Sequence, residues 1–554
     1  MTPLHSDPTG ISTATSEAPR PRDTSRRYRT PARRLGLAVV AGASAVALAA
    51  CGSGSGTSGG SGGEVDTTEL SIAYSAQPGS LDPHISTAEA TFDFMRGVYE
   101  GLVALDDEGV PQPQLAESID TNEDYSEYTF HLREGITFHD GSALDAQDVV
   151  DTMERWTELA PAGGSFSDVT WEAVDDLTVT MTSPVPFYAA LTLMANHQNQ
   201  YPAVTTSEAI EAAGPEGLGE FVGTGPYSFV EWVDSQYVKL EKNEDYVPYE
   251  VDSTGGASPS EVVYDTVTLN VVSDPSTRVS GLQSGEYDIA SHILSDQIPQ
   301  VEGAGAQQET FGKGLSGMYF NLNEGPMADK NLRHAVLTGL DMEAILTGAY
   351  GGPDFFTVEG AIATELQTNW YTDAGTEEYN VQDQELAQEY LEKSDYDGEP
   401  VRLNVTRDYQ DHYDTAVVVE QQLNEMGIAA ELVVSDWPTV LATAKDEPGA
   451  WEISFSSWSP QSMPTRYTFQ GENASGALIG DPYYEAVKAV HYTDSLESAQ
   501  TALDEQQTAF YDFLPAIIFG KKTGTVGYSA DLAPIQIQEG AGSMGLWYLA
   551  TPAG

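Results

Sequence analysis

The chain has 554 residues, of which 24 are lysine or arginine and 85 are aspartate or glutamate, and its formal net charge is −61. Such an acidic chain lacks the basic surface that nucleic-acid binding requires. It contains one cysteine, which excludes an internal disulfide and a zinc or iron–sulfur site built from several thiolates. The length is too great for one small hydrophobic core and predicts two or three domains.

Residues 1–50 have the composition of an export signal, with arginines followed by an uncharged apolar run over residues 35–50. The run is shorter than the about 20 residues that span a bilayer, and it suits a signal-peptide core. It ends in Leu-Ala-Ala-Cys-Gly at residues 48–52, which resembles the bacterial lipobox. The resemblance implies that Cys51 receives a diacylglycerol and begins the mature protein. A buried cysteine and a single-span signal anchor are the alternatives, and Arg33-Arg34 leaves twin-arginine export open.

Residues 52–63 consist almost entirely of glycine and serine. Such a segment cannot bury a core, so we interpret residues 51–65 as a flexible tether. Two Gly-x-Ser-x-Gly matches lie within it, but that pattern marks a hydrolase nucleophile only on a strand-to-helix turn. Beyond residue 50 the chain has 17 basic and 82 acidic residues. This excess predicts a solvated acidic coat that keeps the protein soluble.

Hydrophobic periodicity in the rest of the chain predicts a mixed α/β body. Alternating apolar residues predict strands at 128–132 and 177–181, and a helical pattern covers 148–156. A β-α-β unit is predicted from a strand at 401–405, a helix at 413–426 and a strand at 428–434, with Gly427 at the C-terminal end of the helix.

A colinear series of short motifs covers most of the body. It comprises Leu-Asp-Pro-His at 81–84, Val-Tyr-Glu-Gly-Leu at 98–102, Phe-His-Leu-Arg-Glu-Gly at 130–135, Phe-His-Asp-Gly at 138–141, Gly-Thr-Gly-Pro-Tyr at 223–227, Ser-Gly-Glu-Tyr-Asp at 284–288 and Tyr-Phe-Asn-Leu-Asn at 319–323. Together these motifs resemble the family 5 extracellular solute-binding proteins of ABC importers, which include oligopeptide, dipeptide and nickel receptors. The resemblance implies a periplasmic-binding-protein-like α/β fold (type II, cluster C) with two main lobes, a hinge and an extra third domain.

The family's organisation, transferred to this sequence, divides the body into three lobes. Lobe I takes 66–104, 221–322 and 515–554, lobe II takes 105–220, and lobe III takes 323–514. The resemblance implies that the lobes close on a ligand by a hinge motion. A cleft between domains is also where small molecules usually bind.

The resemblance predicts a receptor rather than an enzyme. It implies a lipid-anchored, monomeric protein on the extracytoplasmic face of the cell membrane, without a cofactor, that delivers a peptide-like or other polar solute to an ABC permease and ATPase. The alternatives are an oligosaccharide-binding member of the same family, a sensor or adhesin without a permease, and a secreted hydrolase. Scattered histidines disfavour direct metal ligation, although a chelated metal stays open.

Most of the candidate ligand residues come from the same resemblance, while Trp437 and Tyr467 are chosen as aromatic residues of the same region. In peptide-binding relatives a Trp-x-x-Asp segment pairs its aspartate with the ligand's ammonium group. The matching segment here runs from Trp458 through Ser459 to Gln461, so an amide replaces the carboxylate and puts a free-amino peptide in doubt. The other candidates are Trp437, Tyr467, Ile85, Thr87 and Phe166. Aromatic rings beside amides suit a sugar or a capped peptide, and the alternative for Trp458 is a core aromatic.

Overall fold

The computed structural model describes residues 68–535, apart from 107–108, 196, 198–199, 250–261, 364–366 and 471–481. All of these residues belong to the unit that spans residues 64–554. The signal peptide, Cys51 and the tether lie outside the described residues, so the roles assigned to them stay predictions. No helix within the described part of the chain is long and apolar enough to cross a membrane.

The strands of the described residues occur throughout the body. In chain order they are β1 Glu69–Tyr74, β2 Val103–Leu105, β3 Pro111–Pro113, β4 Ala116–Thr121, β5 Glu127–Leu132, β6 Thr170–Asp175, β7 Thr178–Thr182, β8 Tyr227–Val233, β9 Tyr237–Lys242, β10 Thr266–Val271, β11 Ile289–Ala290, β12 Gln307–Phe320, β13 Phe356–Thr357, β14 Val401–Thr406, β15 Ala430–Ser435, β16 Ile453–Trp458 and β17 Ala516–Tyr528.

The α-helices are distributed between these strands along the chain. They are α1 Glu89–Met95, α2 Ala146–Leu159, α3 Ala190–Met194, α4 Ser207–Glu211, α5 Pro275–Ser284, α6 Ile298–Gly303, α7 Lys330–Gly339, α8 Met342–Tyr350, α9 Gln384–Lys393, α10 Gln410–Glu425, α11 Trp437–Asp446, α12 Pro482–His491 and α13 Leu496–Phe513. The predicted mixed α/β class is therefore confirmed.

The largest sheet among the described residues has eleven strands in the order β15-β14-β16-β12-β17-β11-β1-β10-β9-β8, with β13 paired to β17. Strands β12 and β17 are long and antiparallel, and they lie between the two halves of this sheet. A separate four-stranded sheet has the order β4-β5-β7-β6, and β2 pairs with β3. The two long strands thus connect one set of parallel strands to another.

The β-α-β unit predicted from the sequence is present. Strands β14 and β15 are parallel neighbours in register from Val401 opposite Ala430 to Thr406 opposite Ser435. Helix α10 connects them and buries Ala416, Val419 and Leu423 on one face. Gly427 follows the helix with φ 85°, a left-handed conformation that favours glycine. Strands β5 and β7 and helix α2 likewise confirm the predictions near residues 128, 178 and 148.

Three large hydrophobic clusters hold these elements together. One lies under β12, β14, β16 and β17, another surrounds β1, β10 and α1, and a third fills the space between the four-stranded sheet and α2. The third cluster also takes in Met463, Val490 and Leu503. Met463 and helices α12 and α13 therefore share a core with the four-stranded sheet, while the lobe boundaries given above stay a prediction.

Two of the sequence motifs pack against each other. The N–H of Gly225 donates to the carbonyl of Val98 at 3.0 Å, and the N–H of Tyr227 donates to that of Gly97 at 2.9 Å. A Cβ on Gly225 would lie 2.5 Å from the Gly97 carbonyl oxygen. Glycine is required at residue 225 because the two backbone segments approach so closely.

Candidate functional site

Two sets of parallel strands end at a common space. Strand β1 runs parallel to β10 and β11, and β14 runs parallel to β15 and β16. His292 follows β11, Tyr409 follows β14, and their ring centroids lie 5.8 Å apart. Ligands of open α/β sheets bind outside the carboxyl ends of the strands. The space between the two sets is therefore the candidate site.

A cavity of about 490 Å³ opens between the two sets, within the size range of small-molecule sites. Among the described residues, one wall of the cavity comes from the loops after β1 and β10 and from the β8–β9 turn. The opposite wall comes from the loop after β14 and from the start of α11. The side chains include Gln77, Ser273, Asp408, Asp436 and Trp437. A molecule bound there would contact both sets of strands.

Local backbone chemistry fixes Trp437 in the wall of this cavity. Asp436 caps α11 by accepting from the N–H of Thr439 at 2.9 Å. The backbone N–H of Trp437 donates to Oδ2 of Asp408 at 2.8 Å. The half-buried indole meets Tyr409 edge-on, with centroids 5.5 Å apart, and lies 5.3 Å from His412. Hydrogen bonds from the Thr439 hydroxyl and backbone hold the pKa of Asp436 below its ordinary value, so this carboxyl is ionised at neutral pH.

Acidic groups approach the same space from α1. The hydroxyl of Tyr74 donates to Oδ2 of Asp93 at 2.8 Å, and Nε2 of His292 lies 3.9 Å from Oε2 of Glu89. Burial, together with the negative charges of Glu89 and Asp93, raises the pKa of Tyr409 well above its ordinary value. The carboxylates of Glu89 and Asp93 therefore act on Tyr409, and the buried guanidinium of Arg278 interacts with the same ring.

One buried ion pair lies where β17 passes α10. Nζ of Lys522 is 2.7 Å from Oδ2 of Asp411, and both side chains are largely buried. The hydroxyl of Tyr350 donates to the same carboxylate oxygen at 3.1 Å. The positive charge of Lys522 is thus already matched by a carboxylate of the protein.

The predicted segment near residue 458 lies deeper than Trp437. Trp458 is 6 % exposed; its Nε1 donates to Oγ1 of Thr468 at 2.9 Å, and its ring packs edge-on against Phe469 at 4.8 Å. Gln461 is 7 % exposed, and its Nε2 donates to the carbonyl of Ser459 at 2.9 Å. These residues form one continuous segment, and its Trp458 packs into the hydrophobic core. A ligand role for them stays a prediction.

The other predicted residues are dispersed. Ile85 and Thr87 are exposed in the segment that precedes α1. Phe166 is 1 % exposed and packs against Trp156 at 5.0 Å and Phe187 at 4.8 Å. Tyr467 is also buried, stacked on Phe469. Trp437 alone of the predicted set lies among the described residues that line the cavity.

Sequence reasoning missed Asp408, Tyr409, Asp436 and His292. A signal for three of them was available, because the predicted β-α-β unit places residues 406–409 and 435–437 at the carboxyl ends of parallel strands. His292 follows a strand of two residues, too short to recognise from periodicity. Within the described part of the chain, no group of three or more His, Cys, Asp or Glu residues could hold a metal ion.

The fold and the crevice between strand ends define the class of type II periplasmic binding proteins. Solved structures agree: the agropinic-acid complex of AgaA from Agrobacterium tumefaciens and the nonapeptide complex of AppA from Bacillus subtilis both match with a TM-score of 0.74. Their sequence identities are 21 % and 19 %, and each match covers 88 % of this chain and 99 % of the other. At these identities the likeness shows the fold.

The family follows from the sequence comparison. The model for "Bacterial extracellular solute-binding proteins, family 5 Middle" matches residues 110–477, and the chain belongs to this family. It is therefore an extracytoplasmic binding protein and not an enzyme. A probable peptide ABC transporter periplasmic-binding protein, y4tO of Sinorhizobium fredii, is 26 % identical over 82 % of this chain and 88 % of its own length. The periplasmic oligopeptide-binding protein OppA of Escherichia coli is 24 % identical over 76 % and 81 %.

Proposed function

We propose that this chain is the receptor of an ABC importer that captures a peptide-like or other polar solute between its two sets of parallel strands. The observation that carries the proposal is the cavity of about 490 Å³ lined from both sets. The relatives named for peptide binding and for an ABC transporter support the same role.

The proposed mechanism is binding followed by closure. A solute that contacts Gln77 on one wall and Trp437 on the other adds favourable contacts only when the walls are close together. It therefore stabilises the closed state by its differential affinity for that state. In this mechanism the hinge is formed by β12 and β17, which connect the two halves of the sheet. A permease and its ATPase then recognise the closed form.

The proposal includes attachment to the membrane. Cys51 carries the lipid, residues 51–65 form the tether, and the monomeric body stands on the extracytoplasmic face. A diacylglycerol with a further acyl chain gives stable anchoring. Twelve glycine- and serine-rich residues reach about 20 Å, at roughly 5–6 Å times the square root of their number, enough to hold the body just above the bilayer.

Thermal unfolding of the purified chain tests the solute class. The panel contains free peptides, N-blocked peptides, gluco- and xylo-oligosaccharides, and nickel with and without a chelator. A ligand at about 100 times its Kd adds roughly 2.7 kcal/mol of stability, so binding raises the unfolding midpoint. We expect blocked peptides to raise it and Trp437→Ala to abolish the rise. A rise with oligosaccharides alone would assign the alternative, and no rise with any compound would contradict the proposed function.

Two matched variants separate the site from the core. Trp437→Ala removes a cavity wall, whereas Trp171→Ala removes a tryptophan from the four-stranded sheet. Trp171 is largely buried beside Phe130 and Phe166, so its loss lowers the midpoint of the free protein. Because it does not line the cavity, the rise produced by ligand should persist in Trp171→Ala.

A further inference from the structure

The charged side chains among the described residues that line the cavity are all negative. Asp408 and Asp436 contribute carboxylates, and among the described lining residues none is lysine, arginine or histidine. Both carboxylates are held by backbone N–H groups, Asp408 by Trp437 and Asp436 by Thr439. A carboxylate fixed in this way loses little conformational freedom when it binds a ligand.

Basic residues on the neighbouring elements have partners of their own. Lys522 pairs with Asp411 at 2.7 Å. Arg407 lies 4.1 Å from the ring centroid of Tyr413 and donates to its hydroxyl at 2.6 Å. His292 lies beside Glu89. Arg278 donates to the carbonyls of Val272 and Ser273 at 2.8 and 3.0 Å. These four basic side chains therefore contact groups other than the two cavity carboxylates.

The indole of Trp437 adds a second feature that favours a cation. An ammonium or guanidinium group is attracted to the face of an aromatic ring, and tryptophan is the best of the aromatic residues for this contact. Tyr409 and His412 pack against the indole at interplanar angles of 89° and 61°, which holds the ring in place. Val271 and Pro438 supply apolar lining for a stem.

We propose that this cavity is a subsite for an organic cation: a primary ammonium or guanidinium group on an aliphatic stem. The charged head lies between the carboxylates of Asp408 and Asp436 and the ring of Trp437, and the stem packs on Val271 and Pro438. This inference rests on the proposed function, because it assigns part of the captured solute to a particular place in the cleft.

Isothermal titration calorimetry of the full chain tests the assignment. The probes are tripeptides blocked at both ends, Gly-X-Gly, with X as lysine, arginine, norleucine or glutamate, and the free diamine cadaverine. Norleucine keeps the aliphatic stem of lysine and removes the charge. From the size of exposed ion pairs and cation–π contacts, lysine and arginine peptides should bind about three- to tenfold more tightly than the norleucine peptide.

The variant Asp436→Asn sharpens the test. Asparagine keeps the oxygen that caps α11, so the helix start is preserved while the charge is lost. We expect the preference for lysine over norleucine to shrink and the norleucine affinity to stay unchanged. Asp383→Asn is the matched control, because Asp383 is an exposed cap of α9 that does not line the cavity. Raising the salt concentration should weaken binding of the lysine and arginine peptides and leave the norleucine peptide unchanged.

Each outcome has one meaning. Equal binding of lysine and norleucine peptides, or an equal loss for both in Asp436→Asn, overturns the cation subsite and leaves the proposed function in place. Binding by no probe at all overturns the subsite, and failure of the wider solute panel as well overturns the function. If cadaverine binds with the same dependence on Asp436, small amines reach the subsite; if it does not, while the lysine peptide does, the source is a basic peptide.

Discussion

Glu100 is a buried carboxyl group whose protonation changes the stability of the fold with pH. Its carboxyl group accepts a hydrogen bond from Oγ1 of Thr224 at 2.7 Å and another from the hydroxyl of Tyr246 at 3.2 Å. Burial nevertheless raises the pKa of Glu100 to about 7, against the lowering effects of Thr224, Arg133 and Tyr246. Between pH 4.5 and about 7 the folded protein therefore holds a proton that the unfolded chain releases.

The magnitude follows from this pKa. The ordinary value is 4.5 and the folded value is about 7, and each pKa unit corresponds to about 1.4 kcal/mol. Because the folded pKa is raised, the native state binds more protons than the unfolded state between these values, and stability falls as pH rises through this window. The total loss is about 3 kcal/mol and is complete above pH 7. Glu100→Gln mimics the protonated carboxyl, so its stability should not fall over this pH range.

Urea unfolding of the two proteins between pH 4 and pH 8.5 measures this effect. We expect Glu100→Gln to match the parent protein near pH 4 and to exceed its free energy of unfolding by about 3 kcal/mol at pH 8.5. Glu117→Gln, at an exposed position, is the control for the loss of one negative charge. A Glu100→Gln difference that is independent of pH, or a variant less stable than the parent at pH 8.5, would refute the reasoning.

Three further predictions concern other parts of the chain. Asp82→Asn should cost about 3–5 kcal/mol in urea unfolding, because Arg155 is paired with Asp82 in the interior and would lose its counter-charge; an unchanged midpoint would contradict this. Gly225→Ala should destabilise by about 1–3 kcal/mol, since its Cβ would overlap the Gly97 carbonyl, whereas Gly219→Ala, with open space around its Cβ, should cost much less. Cys51→Ser should move the protein from the membrane fraction to the soluble fraction and abolish labelling with a fatty acid; continued labelling would place the anchor elsewhere.

The regular elements were predictable because their hydrophobic patterns are local. The alternation at 128–132 and the helical pattern at 148–156 correspond to β5 and α2, and the β-α-β unit appears with both strands in parallel register. The order of strands in the eleven-stranded sheet was not predictable in this way. Strand β17 pairs with β12, from which about 200 residues separate it, and such pairing depends on contacts that no local window contains.

The candidate site was predictable only in part. Trp437 was identified from its residue type, and the structure places it in the cavity wall. Trp458 was selected because it matches the Trp-x-x-Asp segment of peptide-binding relatives, yet its ring lies in the core and its N–H is satisfied by Thr468. Residue type cannot distinguish these two environments, because a large ring suits both a core and a binding surface. The distinction depends on whether neighbouring elements cover the ring.

Arg466 is a second residue whose role cannot be read from its position in the sequence. Arg466 comes directly after the stretch from Trp437 to Thr465 that contains no arginine. Its Nη2 donates to the carbonyl of Gln200 at 2.8 Å, and that carbonyl also accepts from Nε1 of Trp156. Burial lowers the pKa of Arg466 to about 9. Its guanidinium thus connects the segment near residue 458 to α2 through the Gln200 carbonyl.

Charge alone does not define the cation subsite, because a chain with a net charge of −61 places carboxylates over much of its surface. Exposed carboxylates contribute about 0–1 kcal/mol to an ion pair, partly because two mobile side chains must be ordered. Asp436 and Asp383 are both exposed, and each caps a helix by accepting from its backbone N–H groups. Only Asp436 lies beside an indole ring and opposite a second wall. A difference between Asp436→Asn and Asp383→Asn therefore measures the cavity itself and not the acidic coat.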